Sequence, residues 1–276
     1  MIKIILLIIF ILSGCVSQSK SFEWVEGLPS PWMLEDDVFE SYLVQFHNRY
    51  PNFNHRLKAI NLWRIGTPYG LYCLGEENEE DPDPIIRHDS SDCTVHVLTT
   101  LAFAKSHTYK EARMNMIDIH YKPDDNNLKV PSYNRRWHFT SDRLLNHPYT
   151  VDVTPNLVDS IKIEKISIHL NRKENDELFL DLNWTSNETV EYIPSNNVDI
   201  ALLSSLPSIC GVAFVKKDYF KLGIVIAHEG YLINRTNLIH ASSEFKKTVD
   251  VNFINYLRDG EKYRFDGVMF FEIKSI

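Results

Sequence analysis

The chain is expected to fold as an α+β protein, helices first and an antiparallel sheet second, on three observations. Between residues 37 and 62 apolar side chains recur at helical spacing. At residues 92–105 an Asp-Cys-Thr start opens onto a second such stripe. From residue 166 onward the period changes to two, in short apolar runs separated by turn residues. With 276 residues, 44% of them hydrophobic, there is material for a substantial core. The formal net charge of −8, with no Lys/Arg block of the kind that tracks phosphates, argues against a nucleic-acid partner.

The first residues, MIKIILLIIFILSGC, hold one lysine and an apolar run shorter than the roughly 20 residues a bilayer span requires. They close on Leu12-Ser13-Gly14-Cys15, which resembles the lipobox of bacterial lipoproteins. That resemblance implies a cleaved signal over residues 1–14 and a diacylglyceryl group on Cys15. Val16, rather than Asp, after the cysteine resembles the enterobacterial sorting pattern for the outer membrane, and that resemblance implies a place in the cell envelope, lipid-anchored and facing the periplasm. Residues 15–36 read as the lipidated cysteine and a tether, because the prolines of LPSPW disfavour a regular element. Residues 37–276 read as one domain, with 37–62 as accessory helices. In an oxidising compartment Cys73, Cys93 and Cys210 can form at most one disulfide, so at least one thiol stays free.

The first helical stripe runs Val38, Tyr42, Gln45, Phe46, Arg49 and then Phe53, Leu57, Ile60, Leu62, with Pro51 dividing it into two helices. GTPYGLYCLGEENEEDPDP is punctuated by glycine and proline and reads as loop, its acidic run Glu76–Asp83 as a solvated surface. Asp92 is a natural N-cap for the next helix, with Cys93 in its first turn and Val95, Leu98, Leu101, Ala102 and Lys105 on one stripe. KISIHL and LFLDLNW alternate like two strands of a hairpin around NRKENDE. ICGVAFV, YFKLGIVIA, YLINRTNLIHA and DGVMFFEI supply the remaining strands. No internal repeat or low-complexity tract interrupts them.

A helix start concentrates unpaired N–H groups, which favour thiolate over thiol and lower cysteine pKa values to between about 3.5 and 7.5. The same groups can hold an oxyanion. With a histidine on a neighbouring strand and a third polar group orienting it, Cys93 would complete a papain-like hydrolase; without them it is an inert small residue among polar neighbours. The scattered histidines lack zinc-site spacing, so neither metal nor other cofactor is expected.

Three ordered blocks sharpen this. GTPYGLYCLGEENEEDPDPIIRHDSSDCTVHVLTTLAFA, YNRRWHFTSDRLL and LGIVIAHEGYLINRTNLIHASSEFKKTVDVNFINYL resemble the N-acetylmuramoyl-L-alanine amidase-like branch of the NlpC-type cell-wall cysteine hydrolases. The resemblance implies a papain-like NlpC-type fold and action on amide bonds of peptidoglycan stem peptides. Peptidoglycan or muropeptide would be the partner, with the membrane reached only through the Cys15 lipid. It makes Cys93 the nucleophile and His240 the orienting third member. Asp92 would bind a free amine, Tyr69 and Thr94 would shape the pocket, and Arg136 and His138 would line the groove. His96, His107 and His169 receive no role.

The family's general base is the histidine of a His-Val-Gly strand, and an ungapped alignment on Gly223 puts Lys221 there. A protonated lysine cannot accept a thiol proton, which leaves His138 as the alternative base. Two further functions stay open on that ground: a pseudoenzyme that binds muropeptide or a protein without cutting it, and an acyl-transfer or amide-forming enzyme of the same fold.

Overall fold

The computed structural model describes residues 22–78 and 81–274; the leader, Cys15 and the first part of the tether lie outside them. The architecture is α+β. Helices α1 (Glu23–Glu26), α2 (Asp36–Arg49), α3 (Phe53–Trp63), α4 (Cys93–Ala104), α5 (Tyr109–His120) and α6 (Thr140–Asn146) precede the sheet. Its strands are β1 (Thr150–Asp152), β2 (Glu164–Leu170), β3 (Ser186–Pro194), β4 (Ile209–Val215), β5 (Ile226–Ile233), β6 (Asn237–Ser242), β7 (Lys247–Asn252) and β10 (Gly267–Ile273). Helices α7 (Ile200–Ser205) and α8 (Phe253–Leu257) and the small hairpin β8 (Arg258–Asp259) and β9 (Lys262–Tyr263) lie between strands. The sheet order is β2-β3-β10-β4-β5-β6-β7, all antiparallel, with β1 paired to the far end of β10.

Pro51 separates α2 from α3 as expected, and Asn52 caps α3 by accepting the His55 N–H. The buried face of α2 is Phe39, Leu43 and Phe46, one residue round from the stripe read in the sequence, and Val38 is exposed. Aromatic packing decides the rotation: Phe39 stacks between Trp63 and His88 and meets Phe103 with ring centres 4.7 Å apart. The helix that carries Cys93 has no wet face. Every residue from Val95 to Ala104 is buried, because α3, α5 and β5 enclose α4.

Residues 22–36 are not a free tether. Phe22 stacks on Tyr50, Val25 is buried, and Trp63 donates its indole N–H to the Pro29 carbonyl. LPSPW does form a regular turn, a 3₁₀ segment at Pro31–Met33 with proline at its first position, where the missing N–H costs nothing.

The acidic loop is also turned inward. Glu76 is buried and paired with Arg136, Asp81 shares the same guanidinium, and Glu77 pairs with Arg113. LFLDLNW is not a strand: β2 pairs with Ser186–Pro194 instead. Asn171, buried at φ 64°, takes over the backbone of that run. Its side chain accepts the Leu180 N–H and donates to the Trp184 carbonyl, while its own carbonyl accepts from Phe179. Side-chain competition of this kind diverts a segment from a ladder its alternation would suit.

The central strands are covered on both faces. Ile209, Ala213 and Val215 of β4 face the helical layer, while Cys210, Val212 and Phe214 face a second core under α7 and α8. That explains the unbroken apolar run ICGVAFV. On β5, Gly230 sits where a Cβ would lie 2.8 Å from the Ile239 carbonyl and 2.9 Å from the His240 Cβ. Gly230→Ala is therefore expected to cost about 1–3 kcal/mol of stability and to shift His240, readable as a lowered urea midpoint at unchanged m-value.

Candidate active site

Asp92 adopts an extended backbone and accepts the Val95 N–H at 2.9 Å, which starts α4 with Cys93 as its first residue. The sulfur is thereby set at the end of a helix whose first N–H groups have no intrahelical acceptor. Cys93 is half-buried and lines a cleft of about 180 Å³ together with Thr94, His138, Thr140, Ala227, His228 and Glu229.

His228 is the residue the sequence reading missed. On β5 the pairing with β4 runs Phe214 to His228 and then Val215 to Ile226, so Ala227 is an extra residue, a bulge beside the cleft. Bulges turn a side chain away from the regular alternation. His228 Nε2 lies 2.8 Å from His240 Nδ1, and the rings meet edge to face at 4.8 Å between centres. With Nε2 donating to His240, Nδ1 of a neutral His228 keeps its lone pair and can receive a proton. Cys93 and His228 line the cleft without a direct hydrogen bond between them, and such contacts commonly tighten only around substrate.

Beneath the cleft a buried ion pair ties the parts together. Glu229, 1% exposed, accepts from the hydroxyls of Thr94 and Thr140 and from Arg143 Nη2 at 2.5 Å. One side chain thus joins the strand bearing His228, the helix bearing Cys93, and α6.

The electrostatics differ from the thiolate expected at a helix start. Burial first, and then the charges of Asp92 and Glu229, push the Cys93 thiol up to about 12, against weaker help from the Glu229 backbone and Thr94. Burial likewise lowers His228 to about 3 and His240 to about 4. The resting pair is a neutral thiol beside a neutral imidazole. Iodoacetamide is therefore expected to modify Cys93 more slowly at pH 6 than it modifies a free model thiol, with the rate rising as pH increases; rapid reaction at pH 6 would show a thiolate. Buried neutral imidazoles also set an acid limit. Below about pH 6.5 the unfolded chain binds protons that folded His228 and His240 refuse, so stability falls as pH drops from there toward 4. Urea midpoints across that window measure the decline.

Of the residues singled out in the sequence, Cys93, Thr94, His138 and His240 come together at or behind the cleft. Tyr69 lies close enough that burial, helped by the charges of Cys93 and Asp92, pushes its phenol up to about 12. Asp92 has both oxygens occupied, one capping α4 and one accepting the Tyr72 N–H. His138 donates from Nε2 to the Tyr133 carbonyl at 2.6 Å, so it belongs to the cleft wall and not to the histidine pair. Arg136 does not line the cleft; Glu76 and Asp81 consume its guanidinium. Lys221 is exposed on a 3₁₀ turn ending at Gly223, whose φ of 72° terminates that turn, and it does not line the cleft. A His-x-Gly spacing does occur in the chain seven residues beyond Lys221-Leu222-Gly223, at His228-Glu229-Gly230. Cys73, Cys93 and Cys210 are all free.

Among solved structures, a Legionella pneumophila protein superposes with a TM-score of 0.69 at 23% identity, covering 86% of this chain and 95% of that one. An N-acetylmuramoyl-L-alanine amidase from Bacteroides uniformis superposes with a TM-score of 0.58 at 23% identity, covering 79% and 97%. No curated protein sequence matches the chain. Residues 60–263, which contain every component of the cleft, match the AmiA-like family model, described as N-acetylmuramoyl-L-alanine amidase-like, and the chain belongs to that family.

Proposed function

We propose that this chain is a lipid-anchored cysteine amidase of papain-like, NlpC-type architecture that hydrolyses amide bonds in peptidoglycan stem peptides. The observation that carries the proposal is the His228–His240 hydrogen bond beside the cleft that Cys93 opens onto. His228 Nδ1 takes the Sγ proton as sulfur attacks the amide carbonyl carbon, and the α4 amino-terminus holds the resulting oxyanion. The imidazolium, stabilised by His240, then protonates the leaving amine, and the C–N bond breaks. Water, deprotonated by the same imidazole, hydrolyses the thioester and regenerates the thiol. Leu12-Ser13-Gly14-Cys15 supports lipid attachment at Cys15 and a place in the outer membrane facing the periplasm.

The pseudoenzyme alternative rests on Lys221 standing in for the base, and a histidine in the cleft, His228, favours the hydrolase reading over it. Digestion of purified sacculi by the wild-type protein and by Cys93→Ala tests the proposal. Release of muropeptides with new amino groups by the first alone is the expected result. Equal release by both, or none by either, overturns it.

A further inference from the structure

Phe22, the first described residue, lies under Lys58, whose ammonium is 4.3 Å from the Phe22 ring centre and 2.7 Å from Asn234 Oδ1. Asn234 and Arg235 form the tip of the β5–β6 hairpin, both at positive φ. That tip borders an apolar groove of about 850 Å³ between α7 and α8, flanked by Ile200, Ile254 and Arg258. Ile200 is 77% exposed, an isoleucine left in the open at the start of an amphipathic turn.

We infer that this face rests on the lipid bilayer, with Ile200 and Ile254 entering the interfacial region and Arg235 and Arg258 meeting lipid phosphates. The inference rests on lipidation of Cys15. Seven residue steps separate Cys15 from Phe22, a reach of at most about 25 Å when fully extended, so the side bearing Phe22 is the side held at the membrane. An exposed Ile200 beside the half-buried Ile254, flanked by two guanidiniums and by an Asp199 whose side chain caps α7, suits that boundary, because the isoleucine leaves water while the guanidiniums stay among headgroups. In a chain of net charge −8, Arg235 and Arg258 on this face oppose the repulsion an anionic leaflet would exert.

The topology gives the orientation a use. His228 and the hairpin tip stand at opposite ends of β5, about 20 Å apart at the ordinary rise of a strand. Phe245, in the turn at the other end of β6, is likewise on the cleft side, where the Lys246 carbonyl accepts from the Tyr69 N–H. Seated on the groove face, the protein points Cys93 away from the bilayer, toward a polymer that lies beyond the headgroups.

The test uses the full chain, purified in detergent and reconstituted into vesicles of phosphatidylethanolamine and phosphatidylglycerol, with and without brominated phosphatidylcholine. Intact mass reports the lipid on Cys15, and Cys15→Ala supplies the unanchored control. Tryptophan is placed singly by Ile200→Trp and by Phe245→Trp, each judged against the wild-type emission. Bromine quenching and a blue shift of the Ile200→Trp signal, with neither for Phe245→Trp, are expected. Quenching of both or of the second alone overturns the orientation. Absence of quenching in protein of confirmed lipid mass overturns the docking while leaving the anchor intact. Absence of the lipid mass itself refutes the anchor. A shift that persists without vesicles and grows with protein concentration assigns the groove to a second copy of the chain.

Discussion

His228→Ala is expected to lower kcat/KM for muropeptide release by roughly 10²–10⁴-fold, the span general acid–base groups supply. The size follows from the resting protonation states. With the Cys93 thiol held up near 12, the proposed attack requires its proton to leave as sulfur attacks, and His228, which lines the same cleft, is the acceptor in the proposed mechanism. Cys93→Ala removes the proposed nucleophile outright, and the double variant should be no worse than Cys93→Ala alone if the two act as one unit. His240→Asn, which keeps an acceptor for the His228 Nε2 proton, should retain more activity than His240→Leu. Lys221→Ala should leave the rate unchanged. Steady-state kinetics on a soluble muropeptide, with urea midpoints to verify folding, decide each case, and a large loss in Lys221→Ala would contradict the assignment of the base.

The second large effect concerns stability. Glu229→Leu leaves Arg143 charged, 3% exposed and without its carboxylate, and removing one member of a buried pair costs about 3–5 kcal/mol. It also frees the hydroxyls of Thr94 and Thr140 from their shared acceptor. Replacing both charges, by Glu229→Leu with Arg143→Leu, should recover most of the loss, because an apolar pair of similar volume often matches a buried ion pair. Urea unfolding of the two single variants and the double variant forms a mutant cycle. If Glu229→Leu unfolds within about 0.5 kcal/mol of wild type, the pair is not the strut described here.

How much of this was legible beforehand varied with the physics involved. The α+β order, the break at Pro51 and the Asp92 cap followed from local rules, since periodicity and capping depend on near neighbours. The inward face of α2 did not, because Phe39 is selected by Trp63 and Phe103 from other helices. Nor did the fate of residues 178–184, which turns on one buried asparagine. At the site, Cys93 and His240 were marked by their motifs. His228 was not, because Gly223, which ends a 3₁₀ turn, and Gly230, which lies within β5, look alike in one dimension. The acidic loop reads as solvated and Arg136 as lining the groove, since one-dimensional spacing does not show which distant cation meets which carboxylate.

The helix that carries Cys93 has neighbours on every side, with His96 bonded to Asn61 and the Tyr231 hydroxyl donating to the Val97 carbonyl. An element so enclosed opens only when the whole molecule opens, so its amide hydrogens should be among the last to exchange. Inactivation by denaturant and global melting then become one event, with no softened form in which a folded shell outlives its chemistry.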